Sequence, residues 1–262
     1  MEAIEHLQYL TKKKHIFFTK SGDHAILYVL KYLKTLNKTV LIQDQGGWIT
    51  YEQYLKKLNI DYQMIKTHKG VINPDSIRMF SHIPELAIMV NSMTGYYALQ
   101  DMYSISKICK DQNVFLINDI SGSIGLKEAE YGDICLGSFG NAKPIELREG
   151  GFIATSDEQL FAFLQTLEQY YIDPALLKKE LDRLKEKLIF FQLRKDKIKK
   201  ELHDFEILEG NGINVIVLFE TEEQKNKITE YCNQHNFPFT VCPRNIRVME
   251  NAISIEVKKL TF

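Results

Sequence analysis

Cysteine is scarce in this chain. Four thiols, Cys109, Cys135, Cys232 and Cys242, are spread over 262 residues. No two form a Cys-x-x-Cys pair and none stands near a histidine at zinc-ligand spacing, so neither a disulfide framework nor a structural metal is expected. Cys109 and Cys135 fall in apolar periodic segments, where reduced, buried thiols are the ordinary outcome. Charge of one sign is lacking too. Lys and Arg total 33 against 34 Asp and Glu, a net charge of -1. No global basic field exists to attract nucleic acid. No apolar run approaches the roughly 20 residues that a membrane helix needs. The opening Met1-Glu2-Ala3-Ile4-Glu5-His6 is polar and acidic, unlike a secretory signal. A cytoplasmic protein, with neither membrane nor nucleic acid as partner, is the expectation. Internal repeats and low-complexity linkers are absent as well.

What is present is the balance of an ordinary globular protein, 45% hydrophobic and 26% charged, able to bury a core. Apolar runs at Thr39-Ile42, Leu86-Val90, Val114-Ile117 and Ile134-Leu136 have the length and composition of buried strands. Helical patterns lie between them. Ile26, Leu30 and Leu33 form one stripe behind a capping Ser21, a second helix runs from about Leu99 to Asp111, and a third starts after Ser156-Asp157. Strands alternating with helices predict an α/β fold, a mostly parallel sheet covered on both faces. The texture changes near Asp173-Pro174. Leu177, Leu181, Leu184, Leu188, Phe191, Ile198 and Leu202 recur at spacings of four and three with one position skipped, which predicts one long helix. Its Lys/Arg-rich face from Lys178 to Lys200 is interleaved with acids and reads as solvated. Beyond it lie a strand (Ile213-Phe219), a helix (Glu222-His235) and two apolar runs read as strands, Ile246-Met249 and Ile253-Val257. The predicted organisation is a large α/β domain (1–172), a connecting helix (173–204) and a small α+β domain (205–262).

Ligands of open parallel sheets bind at the carboxyl ends of the strands. There the sequence places Gln43-Asp44-Gln45-Gly46-Gly47-Trp48, Asn91-Ser92-Met93-Thr94-Gly95, Asp119-Ile120-Ser121-Gly122-Ser123 and Ser138-Phe139-Gly140-Asn141-Ala142-Lys143. Three stretches carry a family resemblance. Ser21-Gly22-Asp23-His24-Ala25-Ile26 is similar to a phosphate-binding turn. Val114-Phe115-Leu116-Ile117-Asn118-Asp119 is similar to a strand ending in a pyridine-binding aspartate. Ser138-Phe139 followed by Lys143, then Arg148-Glu149-Gly150-Gly151, matches a Schiff-base lysine and its trailing Gly-Gly strand. Together, over roughly residues 15 to 170, the chain resembles the pyridoxal-phosphate (PLP) enzymes of fold type I, most closely the DegT-type sugar aminotransferases.

The resemblance implies that PLP is the cofactor, with Lys143 and Asp119 catalytic. Lys143 would form the Schiff base, a role for a neutral amine, and Asp119 would keep the ring nitrogen protonated so that the ring acts as an electron sink. Ser21, Gly22 and Asp23 open a helix whose N-terminus suits a phosphate, with Ser138 adding a hydroxyl. Trp48 would stack on the ring, and Thr94 and Ser121 complete the cofactor contacts. Outside the resemblance, Trp48 reads equally as a core residue and Ser21-Gly22 as a plain helix cap. Arg247 and Arg244 are candidate anchors for a substrate carboxylate. Three departures stand out: Asp23 replaces a threonine, Gly122 replaces a cofactor-contacting glutamine, and the chain is short between the Gly-Gly strand and the long helix. The expected function is an aminotransferase-like reaction on a small amino compound, carried out by a homodimer. A PLP-dependent lyase or desulfurase of class V type, using Cys232 or Cys242, and a catalytically degenerate scaffold are the alternatives.

Overall fold

The computed structural model describes residues Met1 to Phe262. Seven strands form the large sheet: β1 (His15–Thr19), β2 (Thr39–Gln43), β3 (Tyr62–Ile65), β4 (Leu86–Asn91), β5 (Phe115–Asp119), β6 (Ile134–Ser138) and β7 (Gly151–Thr155). Their spatial order is β1-β7-β6-β5-β4-β2-β3. β7 runs antiparallel to both its neighbours, while every other pair is parallel. Seven α-helices surround the strands: α1 (Ala3–Thr11), α2 (Gly22–Thr35), α3 (Ile49–Leu58), α4 (Met102–Asp111), α5 (Glu158–Gln165), α6 (Pro174–Glu201) and α7 (Glu222–Gln234). The sheet is apolar on both faces because both are covered. Val40, Ile42, Ala87 and Met89 pack with α2 and α3 on one side. Leu41, Ile88 and Val90 pack with Met102, Ile105 and Cys109 of α4 on the other. The α/β architecture expected from the alternating pattern is the observed one.

Local chemistry explains the helix starts. The Ser21 hydroxyl accepts from the His24 N–H at 3.2 Å, and Asp157 and Asp173 cap α5 and α6 in the same way. Pro174, which has no N–H to leave unpaired, opens the first turn of α6. The second predicted helix begins at Met102 rather than near Leu99. Asp101 caps it, accepting from the Ser104 N–H at 3.0 Å, and Ala98–Leu99 pairs instead with Met93–Thr94 in a two-residue ladder.

A second sheet joins β8 (Val215–Leu218), β9 (Phe239–Val241) and β10 (Ala252–Ile255) in the order β8-β10-β9. Ile246-Met249, expected as a strand, is a turn. The Arg244 N–H donates to the Val248 carbonyl, and the Arg247 N–H to that of Arg244. The third strand is β9, whose short, half-exposed run has no clear alternation. In α6, a single helix of 28 residues, the skipped position in the apolar seam is Lys195. It is buried, as is Lys187, so two lysines of the face expected to be solvated lie inside the protein.

Candidate active site

At the carboxyl end of the large sheet the N-terminus of α2 and the ends of β4, β5 and β6 surround a cavity of about 360 Å³, within the range of ligand sites. Ser21, Gly22, Asp23, Trp48, Asp119, Ser121, Ser138 and Lys143 all line it. Thr94 does not. It is fully buried behind the cavity wall, its hydroxyl accepting from the Gln43 amide at 3.3 Å, and a Cβ on Gly46 would fall 1.8 Å from its Oγ1. Asn91, the last residue of β4, lines the cavity instead.

Asp119 ends β5 with its side chain buried. Oδ2 accepts from the Tyr51 hydroxyl at 2.5 Å and Oδ1 from the Ser121 N–H at 3.0 Å, so its orientation is set from both sides. Tyr51 is completely buried and its hydroxyl is pushed well above the ordinary tyrosine range by that burial and by the Asp119 charge; it stays a donor. The Lys143 Nζ donates to the Tyr96 hydroxyl and lies 5.3 Å from the centroid of the Trp48 ring. Lys187 of α6 donates to the Lys143 carbonyl at 3.0 Å.

Two departures from the family pattern acquire a physical reason. Asp23 does not confront the helix N-terminus: its Oδ1 accepts from the Trp48 indole N–H at 2.8 Å and from the Thr50 hydroxyl at 3.0 Å, which fixes the indole. Gly122 is small because Tyr96 takes the space, a Cβ there lying 3.0 Å from the Tyr96 ring and 3.2 Å from Met93. The Gly-Gly pair is a packing requirement as well. Gly150 has a φ of +85°, and a Cβ on Gly151 would sit 2.7 Å from the Gly22 nitrogen. Only a bare backbone lets β7 pass this close to the start of α2.

Of the two arginines, Arg247 lines the cavity but its guanidinium is committed to the buried Glu256, Nε to Oε1 at 2.7 Å and Nη2 to Oε2 at 2.8 Å. That pairing holds the Glu256 carboxyl at about 2 against the upward pull of burial. Arg244 is exposed and outside the lining. The four cysteines are buried and unpaired; neither Cys232 nor Cys242 lines the cavity, and burial pushes the Cys232 thiol up to about 12, the opposite of a reactive sulfur acceptor. Sequence reasoning missed Tyr51, Tyr96 and Lys258. The first two carried no spacing signal, and Lys258 stands in an ordinary-looking Lys258-Lys259 pair near the C-terminus.

The donor set fits PLP. A helix N-terminus with two serines, a carboxylate of fixed orientation, a lysine amine and an indole line one cavity. A comparison with the curated proteins finds no match. Among solved structures, 3-amino-5-hydroxybenzoic acid synthase superposes with a TM-score of 0.75 at 15% identity, covering 98% of this chain and 84% of that one. The Helicobacter pylori aminotransferase PseC, involved in the biosynthesis of pseudoaminic acid, gives 0.76 at 15% over 97% and 84%. The E. coli GDP-4-keto-6-deoxy-D-mannose-3-dehydratase with bound hydrated PLP gives 0.75 at 14% over 97% and 87%. These likenesses establish the fold. Two family models match the sequence, the MJ1341 family C-terminal domain over residues 183–262 and the DegT/DnrJ/EryC1/StrS aminotransferase family over residues 4–196. With nearly three quarters of its length inside the second match, the chain belongs to the DegT/DnrJ/EryC1/StrS family of PLP-dependent aminotransferases.

Proposed function

We propose that the cavity holds PLP and that the chain uses it to transfer the amino group of a compact amino compound to a carbonyl acceptor, with Lys143 as the cofactor-bearing residue. The observation that carries this reading is the convergence of Lys143, Asp119 and the N-terminus of α2 on a single cavity. When bound, PLP supplies an electron sink and a carrier for the amino group. The chain supplies the rest. Asp119, oriented by Tyr51 and Ser121, would hold a proton on the ring nitrogen. The first amides of α2, with the hydroxyls of Ser21 and Ser138, would take the phosphate charge. Trp48, pinned by Asp23, would cover one face of the ring. Tyr96, bonded to the Lys143 amine, can exchange a proton with it.

The compact substrate is supported by the direct passage from α5 through residues 166–173 into α6, which leaves little chain to wall off a nucleotide. A homodimer is supported by the exposed apolar side chains of Ile49 and Met64, which with Trp48 border a cleft beside α3, and by the few phosphate donors that one chain supplies. Free, buried thiols fit the reducing cytoplasm; no helix is long and apolar enough to cross a membrane. The separate sheets of residues 15–155 and 215–255 support a division into the units 1–172, 173–204 and 205–262.

The test is borohydride reduction of the PLP-loaded protein followed by peptide mapping, with absorbance titration against amino acids and amino-sugar nucleotides. The cofactor is expected on the peptide containing Lys143, with the spectrum responding to amino acids. Labelling elsewhere refutes the role of Lys143, and a response confined to sugar nucleotides refutes the compact substrate.

A further inference from the structure

Arg247 is the natural candidate for gripping a substrate carboxylate, but the structure ties its guanidinium into the protein. Beyond its two bonds to Glu256, its Nη1 donates to the Ile246 carbonyl at 2.8 Å. Glu256 is also filled. Ser254 Oγ donates to Oε1 and Asn214 Nδ2 to Oε2, each at 3.1 Å, so the carboxylate accepts four bonds, about its full capacity.

Lys258 follows two residues later, on the turn Val257–Lys259 that leaves β10. It is 7% exposed and lines the same cavity as Lys143 and Asp119. Its ammonium lies 3.9 Å from Glu256 Oε2, beyond a hydrogen bond, and its one hydrogen bond in the chain is made by its backbone N–H. The Tyr96 ring lies beneath it, 4.4 Å from Nζ to centroid. Around it stand Lys143, Arg247, Lys259, Tyr96 and Glu256, three cations against one carboxylate that is already taken. Burial, reinforced by the neighbouring Lys143 charge, holds Lys258 down to about 7. An amine stored this way is costly to the fold, and its side chain makes no hydrogen bond within the protein.

We propose that Lys258 is the specificity-determining residue of this site, binding the carboxylate of an amino-acid-sized substrate whose amino end faces Lys143. This rests on the reading that Lys143 carries PLP. A carboxylate is preferred over the cofactor phosphate because the phosphate has its own donors on α2 and β6, whereas Lys258 arrives on the turn that leaves β10 of the small sheet. An acceptor at this point would satisfy the stored ammonium and offset the excess of positive charge.

Succinate serves as a non-reacting dicarboxylate probe. Its affinity would be measured by calorimetry on PLP-loaded and PLP-free protein, for the wild type, Lys258→Met and Lys258→Arg. Inorganic phosphate and PLP affinities would be measured on the same set. Succinate binding is expected to weaken at least about tenfold in Lys258→Met, the loss of roughly one charged hydrogen bond, and to recover in part in Lys258→Arg. PLP affinity and borohydride labelling of Lys143 should not change. Equal succinate binding in wild type and Lys258→Met, no succinate binding at all, or a loss falling on PLP or phosphate instead would overturn the proposal. Failure of the label on Lys143 in the wild type would refute the cofactor reading alone, since the succinate comparison on PLP-free protein still decides the role of Lys258.

Discussion

Tyr96 concentrates much of the site in one side chain. Its φ of +64° is a left-handed conformation that costs a non-glycine residue about 1–2 kcal/mol. In return its hydroxyl meets the Lys143 amine, and its ring lies 4.4 Å from the Lys258 ammonium and 5.4 Å from the Arg247 guanidinium, within cation–π range of both. Removing only the hydroxyl should leave that packing in place. Tyr96→Phe is therefore expected to retain PLP affinity but lose about 10- to 100-fold in kcat, the value of one hydrogen bond to a charged group; steady-state kinetics beside a PLP titration would check it. A fall in PLP affinity with unchanged kcat would make the tyrosine a packing residue only. Tyr96 was not legible in the sequence, because its reach into the cavity depends on the tight turn that closes the two-residue ladder of Met93–Thr94 with Ala98–Leu99 and on the absence of a side chain at Gly122. Lys143, Asp119, Ser21 and Ser138 were legible. Each stands at a strand end or helix start whose position the apolar runs already mark, at spacings that leave little freedom. Thr94 met the same criterion and still failed, since β4 ends at Asn91, which lines the cavity, while Thr94 pairs with Ala98 behind its wall.

Among the elements, α6 was foreseen as one long helix but misread as to what it holds. Period and capping residues predict where a helix runs, and a lysine among acids looks solvated until a carbonyl is found at its tip. Lys195 donates to the Gly212 carbonyl at 2.9 Å. The backbone just there is sewn to the active-site turn, the N–H of Gly212 bonding to the Tyr97 carbonyl and those of Ile213 and Asn214 to the Tyr96 carbonyl. Lys187, eight positions earlier on the helix, bonds the carbonyl of Lys143 itself. One helix thus braces both partners of the Lys143–Tyr96 contact. Lys195→Met keeps the apolar stem but leaves a carbonyl without its donor, at a cost of about 1–3 kcal/mol. The expected result is a melting temperature lower by several degrees, with lost activity regained on adding Lys195→Arg in its place. Unchanged melting would show that water satisfies Gly212. The strand missed at Phe239–Val241 and the false one at Ile246-Met249 share a cause. Short apolar runs beside prolines and asparagines do not announce their pairing, and only the partner strand β10 selects between them.

For the whole molecule, the stored amine of Lys258 should shape stability against pH. An exposed lysine in the unfolded chain titrates near 10.5, the folded one at about 7. Between those values the unfolded state binds more protons, so stability should rise with pH from about 7 towards 10.5 and be least below 7. Lys258→Met removes that slope and is expected to melt higher than the wild type at pH 7, by a few degrees for each kcal/mol of relieved burial. Thermal denaturation of both proteins from pH 6 to 9.5 measures it, and parallel curves would contradict it. Glu256 acts at the other end. Its depressed carboxyl, at about 2, contributes stability that is whole above the ordinary carboxylate range and fades as pH falls through that value.

The antiparallel strand β7 has a consequence in time. β1 is an edge strand whose one neighbour is β7, and Gly151 presses against the start of α2. During synthesis β1 leaves the ribosome early and then waits unpaired while more than a hundred further residues are made. The cradle at Ser21 and Gly22 closes only when β7 slides in beside it, a contact of high sequence separation and therefore a slow one. The first strand of the large sheet to be made is the last that can be placed, and the cradle at the start of α2 takes its shape at that moment.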